Sequence, residues 1–341
     1  MDFGQDVGLP FAEVLKGEPS GLQEFSQLIG HFGSTFWDWT PKGIGAAKRS
    51  IQGHAFPVRP LLTPDVRGCP SCLKEDIESS PLPSHRSMTF RSNWLIHHVS
   101  LCLRHERELV VLWKVAAQTQ RYDTAAQFRL IADCVMTEGF KREERDPTDF
   151  EIWFDQRLAG QRHTATWLDD HPLHAASVFC RLLGTARLKL EGVKPSQVAP
   201  GSEWGCYQMG FEIARHGEQA IHNELQKLNR LAEPRLGPKS VFPMLYDRLS
   251  QDYIADVDFA PYREILAQHL LESWPLQPGD YVLGMPVKER ILHSVRTAAE
   301  ETGVDIRRLR AMLEASDMID RELPDDWAVF DAEAARPLLA S

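Results

Sequence analysis

Long apolar runs are missing from this chain of 341 residues. A membrane-spanning helix needs about 20 consecutive apolar residues, and a signal peptide needs a basic N-terminus followed by an apolar run. The sequence has neither pattern, so we expect no membrane span and no signal peptide, and we expect the protein to be cytoplasmic. Apolar residues still make up 43% of the chain, which is enough to build the cores of two or three domains.

Cysteine is scarce, with six residues in the whole chain. That number is too low for a disulfide scaffold, and a reducing compartment would keep the thiols available for a metal. Cys134, Cys180 and Cys206 lie within apolar helical patterns. We therefore expect these three thiols to pack as small buried side chains.

Catalytic motifs are also missing. The segment Gly237-Pro-Lys-Ser240 is similar to the end of a phosphate-binding loop, but Ala232 stands where that loop requires its first glycine. The sequence has no HExxH zinc motif and no GxSxG nucleophile motif. We therefore predict that the protein is not an enzyme, although scattered acidic residues leave a metal-dependent nuclease open as a less favoured alternative.

Two short motifs are the most informative feature of the sequence. Cys69 and Cys72 form one pair with two residues between them, and Cys102 and His105 form a second pair with the same spacing. Thiolate and imidazole are donors that zinc prefers, and four such ligands fill its tetrahedral shell. The motifs therefore predict one structural Zn²⁺. A redox-active cysteine pair is the alternative, but it would leave the second motif unexplained.

Two further histidines precede the second motif. His97 and His98 are adjacent, and in an extended strand their side chains would point to opposite faces. At most one of them could therefore replace His105, and His105 remains the expected ligand.

The sequence around these motifs resembles that of a known protein family. The stretch 67–76, Trp94 and the stretch 102–109 resemble the zinc-ribbon signature of the TniQ family, the target-selection proteins of bacterial transposons. Similarity to the helical body of the same family is carried by the stretches 210–217 and 242–249 and by Leu225, Leu228, Tyr262, Arg263 and His269. The resemblance therefore runs over about residues 55–316.

The resemblance implies an adaptor that chooses where a transposon integrates. One surface would engage DNA or a DNA-bound targeting complex, which in some relatives is an RNA-guided CRISPR complex. Another surface would recruit the transposon's AAA+ ATPase regulator, which brings the transposase. A second copy of the chain is a further candidate partner. A zinc-containing helix-turn-helix transcriptional regulator is the competing hypothesis.

The net charge of −10 does not favour nonspecific binding to DNA, because such binding depends on Lys and Arg side chains that neutralise phosphates. Residues 56–121 differ, because they contain nine basic and six acidic residues, a local net charge of +3. Arg104 and Arg107 in this region are candidate contacts for nucleic acid or for an acidic partner. A solvated surface around the ribbon explains the same charges equally well.

We predict a mainly α-helical protein with a small zinc-ribbon β unit near the N-terminus. Short strands are expected at Ser87–Phe90 and Trp94–Val99. Apolar residues then recur every three or four positions from Ala125 to Val135, which predicts a helix. The expected domains are an N-terminal arm (1–55), the ribbon (56–121), a helical body (122–284) and a helix-turn-helix domain with the C-terminal tail (285–341).

The C-terminal domain shows the pattern of a helix-turn-helix. A helix over Val287–Glu301, a turn at Thr302–Val304 and a second helix over Asp305–Leu313 are expected, with Asp305 as the cap of the second helix. Leu309 and Met312 would dock that helix against the first. Its exposed side chains Arg307, Arg308 and Arg310 are candidate contacts for nucleic acid or a partner. A plain helical hairpin without a binding role is one alternative. A protein partner for these arginines, instead of DNA, is the other.

Overall fold

A computed structural model describes residues 8–9, 11–30, 34–115, 123–141, 143–161, 165–190, 192, 203–232 and 236–339. Over these described residues the fold is mainly α-helical, with five small β-sheets. The chain divides into two compact units, residues 1–165 with 172–177 and residues 166–171 with 178–341. In the part of the chain that the structure describes, every helix is too short or too polar to span a lipid bilayer.

Where the structure describes it, the first unit contains short helices and three sheets. Its helices are α1 (Phe11–Lys16), α2 (Pro19–Ile29), α3 (Ser34–Trp39), α4 (Val58–Leu61), α5 (Pro70–Glu78), α6 (Ser84–Ser87), α7 (Thr124–Met136) and α8 (Asp149–Leu158). Its strands are β1 (Lys42–Ile44), β2 (Lys48–Ile51), β3 (His54–Pro57), β4 (Asp65–Gly68), β5 (Leu101–Cys102), β6 (Arg107–Glu108) and β7 (Val110–Lys114). Strands β1 to β3 form an antiparallel sheet, and β4 pairs with β7 and β5 with β6, both antiparallel.

The core of this unit surrounds the cysteine motifs. The same apolar cluster contains Cys69, Cys72 and Cys102 together with Trp94, Trp113 and buried residues of α7. The predicted helix is confirmed, and three residues of its periodic pattern, Phe128, Ile131 and Val135, are buried, whereas Ala125 at its start is exposed. The metal motifs are therefore part of the main core of this unit.

The second unit continues from α9 (Leu173–Leu190), a helix whose first residues group with the first unit. Its further helices are α10 (Trp204–Ala214), α11 (Glu218–Leu231), α12 (Pro238–Val241), α13 (Pro243–Asp247) and α14 (Ala260–Leu271). A two-stranded hairpin, β8 (Tyr281–Val282) and β9 (Met285–Pro286), follows α14. Cys180 and Cys206 are buried, as expected, whereas Cys134 in the first unit is only half-buried.

The C-terminal module is a helix pair flanked by two paired strands. Its elements are β10 (Leu292–Ser294), α15 (Val295–Thr302), α16 (Ile306–Ala315), β11 (Val329–Asp331) and α17 (Ala332–Leu339). Strands β10 and β11 pair antiparallel. Gly303 ends α15 with a φ of 71°, a left-handed conformation that glycine adopts without strain. Ala298, Leu309 and Leu313 are buried in one cluster that holds the two helices together.

Several local predictions are wrong. Ser84–Ser87 is a short helix and Ser92–Leu95 is a 3₁₀ turn, where we expected strands at Ser87–Phe90 and Trp94–Val99. The first helix of the C-terminal module begins at Val295, because Leu292–Ser294 instead pairs with Val329–Asp331 and Ser294 caps the helix. Leu313 is the buried residue that closes the helix pair, whereas Met312 is half-buried.

The N-terminal arm contains regular structure. A helix spans Pro19–Ile29, and a three-stranded sheet follows at residues 42–57. The four-part division of the chain stays a prediction. Its boundary at residues 121 and 122 lies outside the described residues.

Candidate metal centre

The first motif lies where a strand meets a helix. Strand β4 ends at Gly68, Cys69 is the residue before α5, and Cys72 lies in the first turn of that helix. Pro70 occupies the first turn, where its missing N–H group costs no hydrogen bond. The backbone at Gly68 is tightly packed, since an added Cβ would lie 2.6 Å from Leu112 Cδ1 and 2.7 Å from Trp94 Cε3. Glycine is therefore required directly before Cys69.

The second motif is the turn of the β5–β6 hairpin. The backbone N–H groups of His105 and Glu106 both donate to the carbonyl oxygen of Cys102, at 3.1 and 2.8 Å. Glu106 has a φ of 51°, which lets the chain reverse within a few residues. The turn directs the side chains of Cys102 and His105 to the same side of the hairpin.

The four side chains converge as the sequence predicted. His105 Nδ1 lies 3.6 Å from Cys69 Sγ, 3.3 Å from Cys72 Sγ and 3.5 Å from Cys102 Sγ. Cys72 Sγ and Cys102 Sγ are 3.6 Å apart. Around tetrahedral zinc, bonds of about 2.3 Å to sulfur and about 2.0 Å to nitrogen place neighbouring donors roughly 3.5–3.8 Å apart. The observed spacing therefore fits one tetrahedral metal ion.

This cluster stands apart from the other polar groups. Among the described residues, it is the one group of three or more His, Cys, Asp or Glu side chains whose donor atoms lie within 4.8 Å of one another. The first motif does lie between a strand and a helix start, which is the setting of a redox-active cysteine pair. The convergence of Cys102 and His105 on the same point favours a metal centre over that alternative.

The three thiols affect one another's protonation. The hydrogen bond with Cys102 is the largest effect on Cys69 and lowers the pKa of that thiol. Hydrogen bonds with Cys102 and Cys69, together with burial, raise the pKa of Cys72. Three buried thiolates so close together repel one another unless a cation compensates their charge. A divalent metal ion supplies that positive charge. Its binding also displaces the thiol protons, so that all three cysteines bind as thiolates.

His105 has a second polar contact on the far side of its ring. Its Nε2 lies 3.0 Å from Oε1 of Glu75, a residue of α5. Nη2 of Arg104 lies 3.0 Å from the other carboxylate oxygen, Oε2. Sequence reasoning missed Glu75, because it lies outside both motifs and meets His105 only in the folded chain.

The hairpin is connected to the start of α8 by a partly buried ionic network. The N–H group of Glu108 donates to the carbonyl of Glu143 at 3.0 Å, and that of Arg145 donates to the carbonyl of Glu106 at 3.1 Å. Arg145 also donates from Nε to Glu108 Oε1 at 2.9 Å and from Nη2 to Glu151 Oε1 at 2.7 Å. Residues 143–151 therefore hold the hairpin that carries the second metal motif in place.

The two neighbouring histidines lie outside the metal cluster. His98 is buried, and its Nε2 lies 3.0 Å from Nδ1 of His174. His97 is exposed. The two side chains differ in exposure as expected, but they lie on a turn rather than on a strand.

The ribbon arginines predicted as contact residues form ion pairs within the chain. Arg104 is 68% exposed and pairs with Glu75, whereas Arg107 is 31% exposed and pairs with Glu144.

The arginines of α16 fall into two groups. Arg307 and Arg308 are exposed, and their backbone N–H groups donate to Asp305 Oδ1 at 3.0 and 3.1 Å, which confirms the predicted cap. Arg310 instead donates to Glu314 Oε1 and Asp325 Oδ1, both at 2.7 Å. Arg310 therefore links α16 to the loop before β11.

Comparison with known families gives a match in the N-terminal part of the chain. Residues 3–109 match the family model for TniQ. This part of the chain is a TniQ domain. The match includes the N-terminal helices and sheet as well as both metal motifs, so it begins earlier than the resemblance in the sequence indicated. No curated protein matches the chain.

The TniQ domain indicates a function at the family level. It indicates target selection associated with transposition, and the TniQ family is a family of non-catalytic adaptors. The buried Cys₃His cluster within this TniQ domain is compatible with zinc.

Proposed function

We propose that the protein is an adaptor for target-site selection in transposition. It would link DNA, or a DNA-bound targeting complex such as a CRISPR effector, to the transposon's AAA+ ATPase regulator and through it to the transposase. The observation that carries the proposal is the TniQ match over residues 3–109, which encloses a four-donor metal cluster. We propose that it acts in the cytoplasm, where bacterial DNA is located.

We propose that Cys69, Cys72, Cys102 and His105 hold one structural zinc ion. The donor types and their spacing support zinc, and four protein ligands leave no coordination position for water or substrate. Such an ion would stabilise the TniQ domain and would perform no chemistry. The proposal that the protein is not an enzyme rests on this closed site and on the family.

We propose that the α15–α16 pair acts as a helix-turn-helix that contacts the target. Two features support this: the tight turn at Gly303, and the exposed side chains of Arg307 and Arg308 on the first turn of α16. In helix-turn-helix proteins, the N-terminal part of the second helix is the part that reaches DNA. Exposed acidic residues nearby, Glu300, Glu301 and Asp317, also fit a protein-bound target.

A binding assay with three components tests the proposal. The purified chain is mixed with target DNA, or with the DNA-bound effector, and with a transposon AAA+ ATPase regulator. We expect the ATPase to be retained on the DNA only when the chain is present. Arg307→Ala with Arg308→Ala should reduce that retention. Lys288→Ala with Arg336→Ala, an equal change in charge at exposed positions of the expected C-terminal domain (285–341), should not.

The two competing functions give different results in the same assay. A transcriptional regulator would bind specific DNA and leave the ATPase in solution. A nuclease would cleave DNA in the presence of a divalent metal. Retention of the ATPase without DNA cleavage supports the adaptor, and either of the other results would overturn it.

A further inference from the structure

The helix that supplies Cys72 also carries a carboxylate that reaches the metal centre. Glu75 follows Cys72 by three residues on α5, so the two side chains project from the same face of the helix. Oε1 of Glu75 lies 3.0 Å from Nε2 of His105. A carboxylate can only accept this hydrogen bond, so Nε2 must carry the proton.

This contact determines which nitrogen of His105 faces the cysteines. With the proton on Nε2, the lone pair is on Nδ1, the atom that lies 3.3–3.6 Å from the three sulfur atoms. We propose that Glu75 is the positioning residue of the metal centre, which orients His105 for coordination through Nδ1. The inference rests on the zinc site proposed above and adds a residue that the two motifs do not contain.

The other acidic residues of α5 have different surroundings. Asp76 accepts two hydrogen bonds from Arg91, at 2.6 and 2.8 Å, and Arg91 lies over the ring of Trp94. Glu78 is exposed at the end of the helix. Of the three carboxylates on α5, Glu75 is the one in contact with a ligand of the metal.

Arg104 restrains the same carboxylate from the solvent side. Its Nη2 lies 3.0 Å from Oε2 of Glu75, but its side chain is 68% exposed. Exposed ion pairs of this kind contribute little energy. Arg104 is therefore a minor support of the centre, and its main effect is to neutralise the charge of Glu75.

Zinc affinity measured by competition with a chelator tests the role of Glu75. Removing a carboxylate that orients a histidine ligand typically weakens metal binding about 10–100-fold. We expect a loss of this size in Glu75→Ala. Glu75→Gln, which keeps the side-chain volume and a hydrogen-bond acceptor, should show an intermediate loss, and Arg104→Ala should change the affinity by less than about fivefold.

Glu78→Ala is the matched control, because it removes the same charge from the same helix away from the ligands. The absorption spectrum of the Co²⁺-substituted protein provides a second readout. Tetrahedral bands should persist in every variant that folds, since all four ligands remain.

The results separate this inference from the zinc assignment itself. Equal zinc affinity in Glu75→Ala, Glu75→Gln and Glu78→Ala would overturn the role of Glu75 while leaving the zinc site intact. A wild-type chain that binds no zinc would overturn both.

Discussion

Arg145 and Glu151 form a bidentate ion pair in the interior of the first unit. Nη1 of Arg145 donates to Oε2 of Glu151 at 2.8 Å, and Nη2 donates to Oε1 at 2.7 Å. The side chains are 14% and 6% exposed. Since Arg145 also donates to Glu108 on β6, one guanidinium connects the metal-site hairpin to the start of α8.

Replacing Arg145 should strongly destabilise this unit. Arg145→Ala leaves the buried carboxylate of Glu151 without its cation, and breaking such a pair typically costs about 3–5 kcal/mol. Urea denaturation of the full chain measures the loss. Arg86→Ala removes an exposed arginine from the same unit and should change the free energy of unfolding by less than about 0.5 kcal/mol. Equal midpoints for the two variants would contradict the structural role of Arg145.

The same pair predicts a loss of stability in acid. Burial alone would raise the pKa of Glu151, but the hydrogen bonds from Arg145 and Thr148 outweigh it and hold the pKa below its ordinary value of 4.5. A carboxylate with a lowered pKa stabilises the fold above the ordinary value, and this contribution disappears as the pH falls through the lowered pKa. The stability difference between wild type and Glu151→Gln should therefore be full at neutral pH and should shrink below about pH 4.5. A difference that stays constant through acid pH would contradict this prediction.

Loss of one metal ligand should release the metal and unfold the ribbon. We expect about one zinc ion per wild-type chain, because the described residues contain one four-donor cluster. Cys72→Ser should lose most of that zinc and melt at a lower temperature. Cys134→Ser, a half-buried thiol outside the cluster, should keep its zinc. Full zinc occupancy and unchanged melting in Cys72→Ser would refute the assignment.

Substitutions of the arginines on α16 should have two different effects, one on stability and one on binding. Arg310→Ala removes the ion pairs with Glu314 and Asp325 and should lower the melting temperature of the C-terminal module. Arg307→Ala with Arg308→Ala should leave melting unchanged and weaken recruitment to the target. If these two arginines bind phosphates, the plot of log affinity against log salt concentration should flatten by about 0.9 for each phosphate that is no longer neutralised. Normal recruitment in the double variant would make the helix pair a structural hairpin only.

Features that depend on local chemistry could be predicted from the sequence. The ligand motifs, the cap at Asp305 and the buried face of α7 each follow from residue types a few positions apart. These signals reflect metal preference, N-terminal capping and helical periodicity, which act within a few residues along the chain.

Features that depend on distant pairing could not be predicted in this way. The strand at Leu292–Ser294 exists because it pairs with Val329–Asp331, and its sequence by itself continues the helical pattern of α15. The contact of Glu75 with His105 joins residues 30 positions apart, and that of Arg145 with Glu108 joins residues 37 positions apart. Which charged residues support the metal motifs is therefore visible only in the folded chain.

Sequencing of insertion sites tests the central claim most directly. The transposon machinery is expressed with and without the chain, and the positions of new insertions are mapped across the host DNA. If the protein selects the target, insertions should concentrate at a defined site only when it is present, and Cys72→Ser should abolish that concentration. An unchanged distribution of insertions in the absence of the chain would contradict the proposed function.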